Sequence, residues 1–111
     1  MVEDRIHEIV LFFEEKLKAS GLNIKKVVLF GSAYRGEMTK DSDIDIAIIS
    51  DDFIGKTISE RARLAGDAFW ETTSKFKIAL DVIKLTSNEY ENETRMIASY
   101  IKEGKVVYSA D

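Results

Sequence analysis

The sequence predicts an α/β (α+β) fold, a small mixed β-sheet packed with helices. Three observations carry this. Short apolar runs rich in β-branched residues alternate with longer stretches whose apolar residues recur at three- and four-residue steps. The two patterns follow one another in the order α-β-β-α-β-α-β, as expected when helices pack on one sheet. The chain has 111 residues, 45% of them hydrophobic, which is the ordinary share for one domain with a real core. A single domain over residues 1–111 is expected, with no room for a second.

Residues 3–19 read as an amphipathic helix, with Ile6, Ile9, Val10, Phe13 and Leu17 on one stripe. Ser20-Gly21 ends it, with glycine at the position after the cap. Lys26–Phe30 is a β-branched apolar run closed by Gly31 and reads as a buried strand. Residues 31–42 hold two glycines and several polar groups and read as a loop. Residues 43–49 form the next strand and 51–55 a turn around Asp51-Asp52. Residues 57–74 read as a second helix with Ile58, Ala62, Ala65 and Phe69 on its core stripe. Phe69 and Trp70 are assigned to core packing by default, with an interface as the alternative. Residues 77–85 form a third strand. Thr86 or Ser87 caps a third helix whose stripe continues through Met96, Ile97, Tyr100 and Ile101 to Gly104. Lys105–Ser109 is a last short strand. His7 beside the first stripe, Lys25-Lys26 and Arg61-x-Arg63 are read as surface groups.

Composition narrows the chemistry. The formal net charge is −4, which argues against a protein that coats duplex nucleic acid by neutralising phosphates. One local cluster of donors could still hold a nucleotide. There is no cysteine and one histidine, so thiol nucleophiles, disulfides, and thiolate or His-rich metal sites are excluded. A metal here would take mainly oxygen ligands, which points to Mg²⁺, Mn²⁺ or Ca²⁺. No apolar run is long enough to span a bilayer, and Met1-Val2-Glu3-Asp4 does not open a signal peptide, so no membrane association and a cytoplasmic location are expected.

The informative stretch runs from Leu29 to Ser50. Side chains alternate along a strand, so Ile44, Ile46 and Ile48 share the core face, while Asp43 and Asp45 share the other with Ala47 and Ile49. Two carboxylates one residue apart repel, and apolar flanks make their ionisation costly without a cation. An Asp-x-Asp pair by itself is often a solvated strand end or turn. Gly31-Ser32 at the end of the preceding strand changes its meaning. Glycine lets a phosphate approach the backbone, and N–H groups and the Ser32 hydroxyl can cradle its oxygens. Asp81 lies among apolar residues of the third strand, where burial would be expensive. Either a nearby Lys or Arg pairs with it, or it faces Asp43 and Asp45 as a third metal ligand.

Gly31-Ser32, ten residues, then Asp43-x-Asp45, with Arg35-Gly36 between them and Ser42 before the first aspartate, resembles the signature of the polymerase-β-type nucleotidyltransferase superfamily. The small size, and the closing helix, Glu103-Gly104 and strand, resemble its minimal nucleotidyltransferase (MNT) domains. Those are the antitoxins of HEPN/MNT toxin–antitoxin pairs. The resemblance implies a polymerase-β-like nucleotidyltransferase fold. It implies that Asp43, Asp45 and Asp81 are catalytic and hold two Mg²⁺ ions. It also implies that Gly31 and Ser32 bind the β- and γ-phosphates of ATP. Arg35 would meet leaving-group charge, and Asp81 would help take the acceptor proton. The implied reaction is transfer of AMP to a hydroxyl, a tyrosine of a HEPN-family toxin, within a hetero-oligomer. Tyr34 is a candidate for stacking on adenine. Two other readings are a non-catalytic antitoxin that masks the toxin by binding, and transfer to a small-molecule acceptor.

Overall fold

The computed structural model describes residues 2–36, 43–92 and 96–110. Ser42, part of the motif above, lies outside the described residues, as do the side chains of Met96 and Ile97. The elements are α1 (Val2–Ala19), β1 (Lys26–Phe30), α2 (Gly31–Arg35), β2 (Ile44–Ile49), a 3-10 turn (Asp51–Phe53), α3 (Ile58–Phe76), β3 (Leu80–Leu85), α4 (Ser87–Asn92), α5 (Met96–Lys102) and β4 (Lys105–Ser109). The strands lie in the order β3-β2-β1-β4. β1 is antiparallel to β2 and β4, and β2 is parallel to β3, so the sheet is mixed as expected. The parallel pair needs a crossover, and α3 supplies it.

α1 buries its predicted stripe: Ile6, Ile9, Val10, Phe13 and Leu17 are all in the core. It ends in a Schellman motif. The Leu22 N–H donates to Leu17 O (3.3 Å) and the Gly21 N–H to Lys18 O (3.0 Å), with Gly21 at φ +94°. β2 is buried on both faces. Ile44, Ile46 and Ile48 join the cluster under α1 and α3, while Ala47 and Ile49 pack with Val28, Phe30, Leu85, Tyr90 and Ile101 on the other side. The strand alternation therefore puts Asp45 on the α4–α5 side of the sheet.

Several local expectations are corrected. The first residues of the 31–42 loop form the single turn α2, too short to show a periodicity. The second strand starts at Ile44 rather than Asp43. The third starts at Leu80, because Lys77 takes a left-handed conformation (φ 53°) and caps α3, its N–H donating to Thr73 O. The described parts of the third helix are α4 and α5. Thr86 is its cap: the Glu89 N–H donates to Thr86 Oγ1 (3.2 Å) and the Thr86 N–H to Glu89 Oε1 (2.8 Å). The core stripe of α3 is Ala65, Ala68, Thr72 and Phe76, whereas Ile58, Ala62, Phe69 and Trp70 are exposed. Small residues let α3 lie close to its neighbours, and the bulkier ones turn outward.

Arg61 is not a solvated charge either. It forks onto Glu89 at 2.7 and 3.3 Å and also donates to Lys84 O (3.0 Å), tying α3 to β3 and α4. Lys25 pairs with Asp51 (2.9 Å), while Asp51 accepts the Ser87 N–H (3.0 Å) and Asp52 the Asn23 N–H (2.8 Å). The Asp51-Asp52 turn is thus a junction of three segments. The Arg61 guanidinium, followed by partial burial opposing it, holds the Glu89 carboxyl below its ordinary range. That stabilisation is present above the unfolded carboxylate pKa and is lost as pH falls through the lower folded value. Arg61→Ala is expected to cost about 2 kcal/mol, the scale of a charged hydrogen bond removed from a part-buried partner. Thermal unfolding at pH 7 should show the midpoint falling by roughly 5–10 °C. The gap between wild type and variant should close as the solution is taken below about pH 4.

Candidate active site

β1 runs out of the core at Phe30, which pairs with Asp45 across β2. One residue later the chain turns at Gly31 into α2. Gly31 is buried at φ +71°, and a Cβ built there would strike the Oδ2 and Cγ of Asp45. The bare α-carbon thus admits the carboxylate. The sequence predicts a glycine that lets a phosphate near the backbone; in the structure its first neighbour is Asp45. The N–H groups opening a helical turn have no intrahelical acceptor, so those of α2 are available to an anion.

Asp45 and Asp81 are register partners on the parallel strands β2 and β3. Side-by-side residues of a parallel pair point to one face, so the two carboxylates meet. The Asp45 carboxyl is raised above its ordinary range first by partial burial, then by the charges of Asp81 and Asp43 and a hydrogen bond with Asp81; Arg35 opposes this. Asp43 is exposed ahead of β2. Asp81 is exposed too, which corrects the expectation of a buried mid-strand aspartate: β3 is an edge strand and its Asp81 side opens to solvent. Among the described residues, no three His, Asp or Glu side chains stand close enough together to share one ion. The structure brings Asp45 and Asp81 together and leaves Asp43 within electrostatic reach.

These groups line one open cavity of about 400 Å³, whose walls include Gly31, Ser32, Arg35, Asp45, Asp81 and Tyr100. Five of the six sequence-predicted site residues share it, and Asp43 stands outside. Tyr100 belongs to the apolar stripe in sequence, yet it is half exposed and forms a wall. Nothing in its sequence neighbourhood distinguishes the two roles. A smaller recess of about 130 Å³ adjoins it, between Tyr34 and Tyr100, again sharing Gly31 and Arg35. His7 is exposed and lies beside a separate recess over α1 and β4.

The donor set tests the metal expectation. Two mutually repelling carboxylates, one of them partly desolvated, are the ligand chemistry of a hard divalent cation. Sulfur and imidazole donors are absent from the cavity wall. The residues fit Mg²⁺ held beside a polyphosphate.

Comparison with known proteins follows the same line. The family described as Polymerase beta, Nucleotidyltransferase matches residues 9–111. A protein of Methanocaldococcus jannaschii, named "Putative protein adenylyltransferase MJ0604", is 45% identical over 49 residues, which are 44% of this chain and 46% of that protein. The chain thus matches about half the length of this curated relative. Among solved structures, a Sulfolobus solfataricus protein described as a "putative nucleotidyltransferase" superposes with a TM-score of 0.74 at 19% identity, covering 98% of this chain and 85% of the other. A toxin–antitoxin complex with AMP-PNP gives a TM-score of 0.65 at 19% identity over 95% and 74% of the two chains. A mutant of the toxin–antitoxin pair MntA-HpeT gives 0.60 at 16% over 98% and 74%. At these identities the structural likenesses establish the fold.

Proposed function

We propose, for a chain that belongs to the polymerase beta nucleotidyltransferase family, that it transfers AMP from ATP to a protein hydroxyl, a tyrosine of a HEPN-type toxin, and so acts as an antitoxin. The observation that carries this reading is the pairing of Asp45 with Asp81 at the mouth of a cavity that also holds Gly31, Ser32 and Arg35. A carboxylate pair beside backbone N–H groups and a hydroxyl suits a metal–triphosphate complex and little else.

The roles follow from the layout. Asp43, Asp45 and Asp81 would hold two Mg²⁺ ions, which when bound offset triphosphate charge and lower the pKa of the acceptor hydroxyl. The Ser32 hydroxyl and the N–H groups after Gly31 bind the β- and γ-phosphates. Arg35 lies on the same wall and meets the charge gathering on pyrophosphate as the α-phosphoryl bond breaks. Asp81, the more exposed of the pair, accepts the proton from the incoming hydroxyl. The cavity is open to solvent, and the acceptor enters it from another chain, in a hetero-oligomer in the cytoplasm. The relative named for protein adenylyl transfer, and the neighbours from toxin–antitoxin complexes, support this choice of acceptor.

The test is transfer of labelled AMP to the toxin in the presence of Mg²⁺. Asp43→Asn with Asp45→Asn is expected to lower it by at least about a thousandfold, the scale of losing metal-assisted charge stabilisation. Label transfer surviving in that double variant would overturn the mechanism. One observation favours a second reading: Asp43 stands apart from the Asp45–Asp81 pair. An antitoxin that only masks its toxin would still neutralise it with both aspartates replaced, whereas the enzyme would bind the toxin and fail to neutralise it.

A further inference from the structure

α3 carries more apolar surface than this chain buries. Its core face is Ala65, Ala68, Thr72 and Phe76. A second face holds Ile58, Ala62, Gly66 and Trp70 at four-residue steps, with Phe69 beside them, so all lie on one stripe. Ile58 is 82% exposed, Trp70 71% and Phe69 37%. Scattered exposed hydrophobics are ordinary, but a continuous stripe on one helix marks an interaction surface. It borders a recess of about 210 Å³ between α3 and β3, lined by Ala62, Gly66, Phe69 and Val82. Gly66 adds an independent sign. Glycine in mid-helix is unfavourable relative to alanine. A Cβ at Gly66 would meet nothing within 4 Å, and its φ is not positive. Nothing among the described residues calls for a missing side chain there, so the benefit lies with a body approaching from outside.

We infer that this stripe is a self-association surface, on which α3 of a second copy packs antiparallel about a two-fold axis at Gly66. The spacing of the stripe singles out a copy of itself. Ala62 lies four residues before Gly66 and Trp70 four after. Reversing one helix about Gly66 therefore sets each Trp70 over the other copy's Ala62, large into small, twice. It also sets glycine against glycine, so that the two helices approach closely. The same operation brings exposed Arg63 of one copy toward exposed Asp67 of the other. A different protein would need no such internal match. The stripe lies on the α1–α3 side of the sheet, opposite Asp45 and Asp81, so association leaves the cavity free for an acceptor.

Because the chain has no cysteine, a single introduced one reports contact directly. Gly66→Cys is expected to form a disulfide-linked dimer on mild oxidation, since a two-fold at this position brings the α-carbons within bridging range. Asn88→Cys, exposed on α4, should not. Sedimentation of the unmodified chain should show dimer at about tens of micromolar, the range of a small interface. Trp70→Ala and Gly66→Arg should each weaken it at least tenfold. Trp70 is exposed, so its replacement leaves the fold intact by circular dichroism even if Gly66→Arg disturbs it. A chain that stays monomeric throughout, as expected if the stripe serves a different protein, would overturn the inference. So would Gly66→Cys linking no faster than Asn88→Cys, or a dimer indifferent to Trp70→Ala.

Discussion

Asp45→Asn is expected to give a chain that is more stable and catalytically silent. Asp45 is partly buried, its α-carbon faces that of Asp81 across a parallel strand pair, and Asp43 adds further negative charge. Without a cation, the folded state carries this repulsion and the unfolded chain largely escapes it. An isosteric amide removes the charge and keeps the fit against Gly31. The gain should be about 0.5–2 kcal/mol, as for other substitutions that relieve a strained functional site. Unfolding in chelator should occur several degrees higher, at roughly 4 °C or more per kcal/mol. Nucleotide transfer should fall by about a thousandfold or more, because on the proposed mechanism the lost charge is a metal ligand. Adding Mg²⁺ should then raise the midpoint of the wild type and leave the variant unmoved, since only a folded state that binds the ion is stabilised by it. A variant that melts lower than wild type in chelator would show that Asp45 is held by attraction rather than repulsion.

Gly31→Ala is expected to be among the most damaging single changes in the chain. Two costs add at this position. A side chain at φ +71° is strained, by about 1–2 kcal/mol. The new Cβ also lands on the Asp45 carboxylate, and overpacking of this kind typically costs about 1–3 kcal/mol. A loss of about 2–5 kcal/mol is a large part of the stability of a domain this size. Denaturant unfolding would measure it. The clash component has a specific signature: Gly31→Ala combined with Asp45→Ala should cost less than the sum of the two changes, because the second removes the two nearest obstructing atoms, Oδ2 and Cγ. Strict additivity would mean that the turn fails through its backbone alone.

Much of this architecture is legible in the chain because the signals are local. Lys26–Phe30 and Ile44–Ile49 are runs of β-branched and aromatic residues, and α1 repeats its apolar residues with little interruption. The Gly31-Ser32 and Asp43-x-Asp45 spacing is local too, which is why the phosphate and carboxylate candidates could be named. What could not be read depends on neighbours distant in sequence. Asp81 is flanked by apolar residues and reads as buried, yet its strand is at the sheet edge. Arg61 reads as solvated because its acid, Glu89, lies beyond β3. α3 offers two apolar stripes, and periodicity cannot say that the one with small Ala65 and Ala68 meets the core. Tyr100 becomes a cavity wall only through the packing of α5 against β1.

The parallel pairing of β2 and β3 has a consequence for how the protein comes into being. Asp45 and Asp81 meet only after the chain has travelled out through α3 and returned to lay β3 beside β2. Contacts of such long sequence separation pay their loop-closure entropy before any return and form late on the folding pathway. Local structure such as α1 can form before the carboxylate pair. On the proposed mechanism a nascent or misfolded chain would therefore have no means of consuming nucleotide, and activity would itself report that folding has finished.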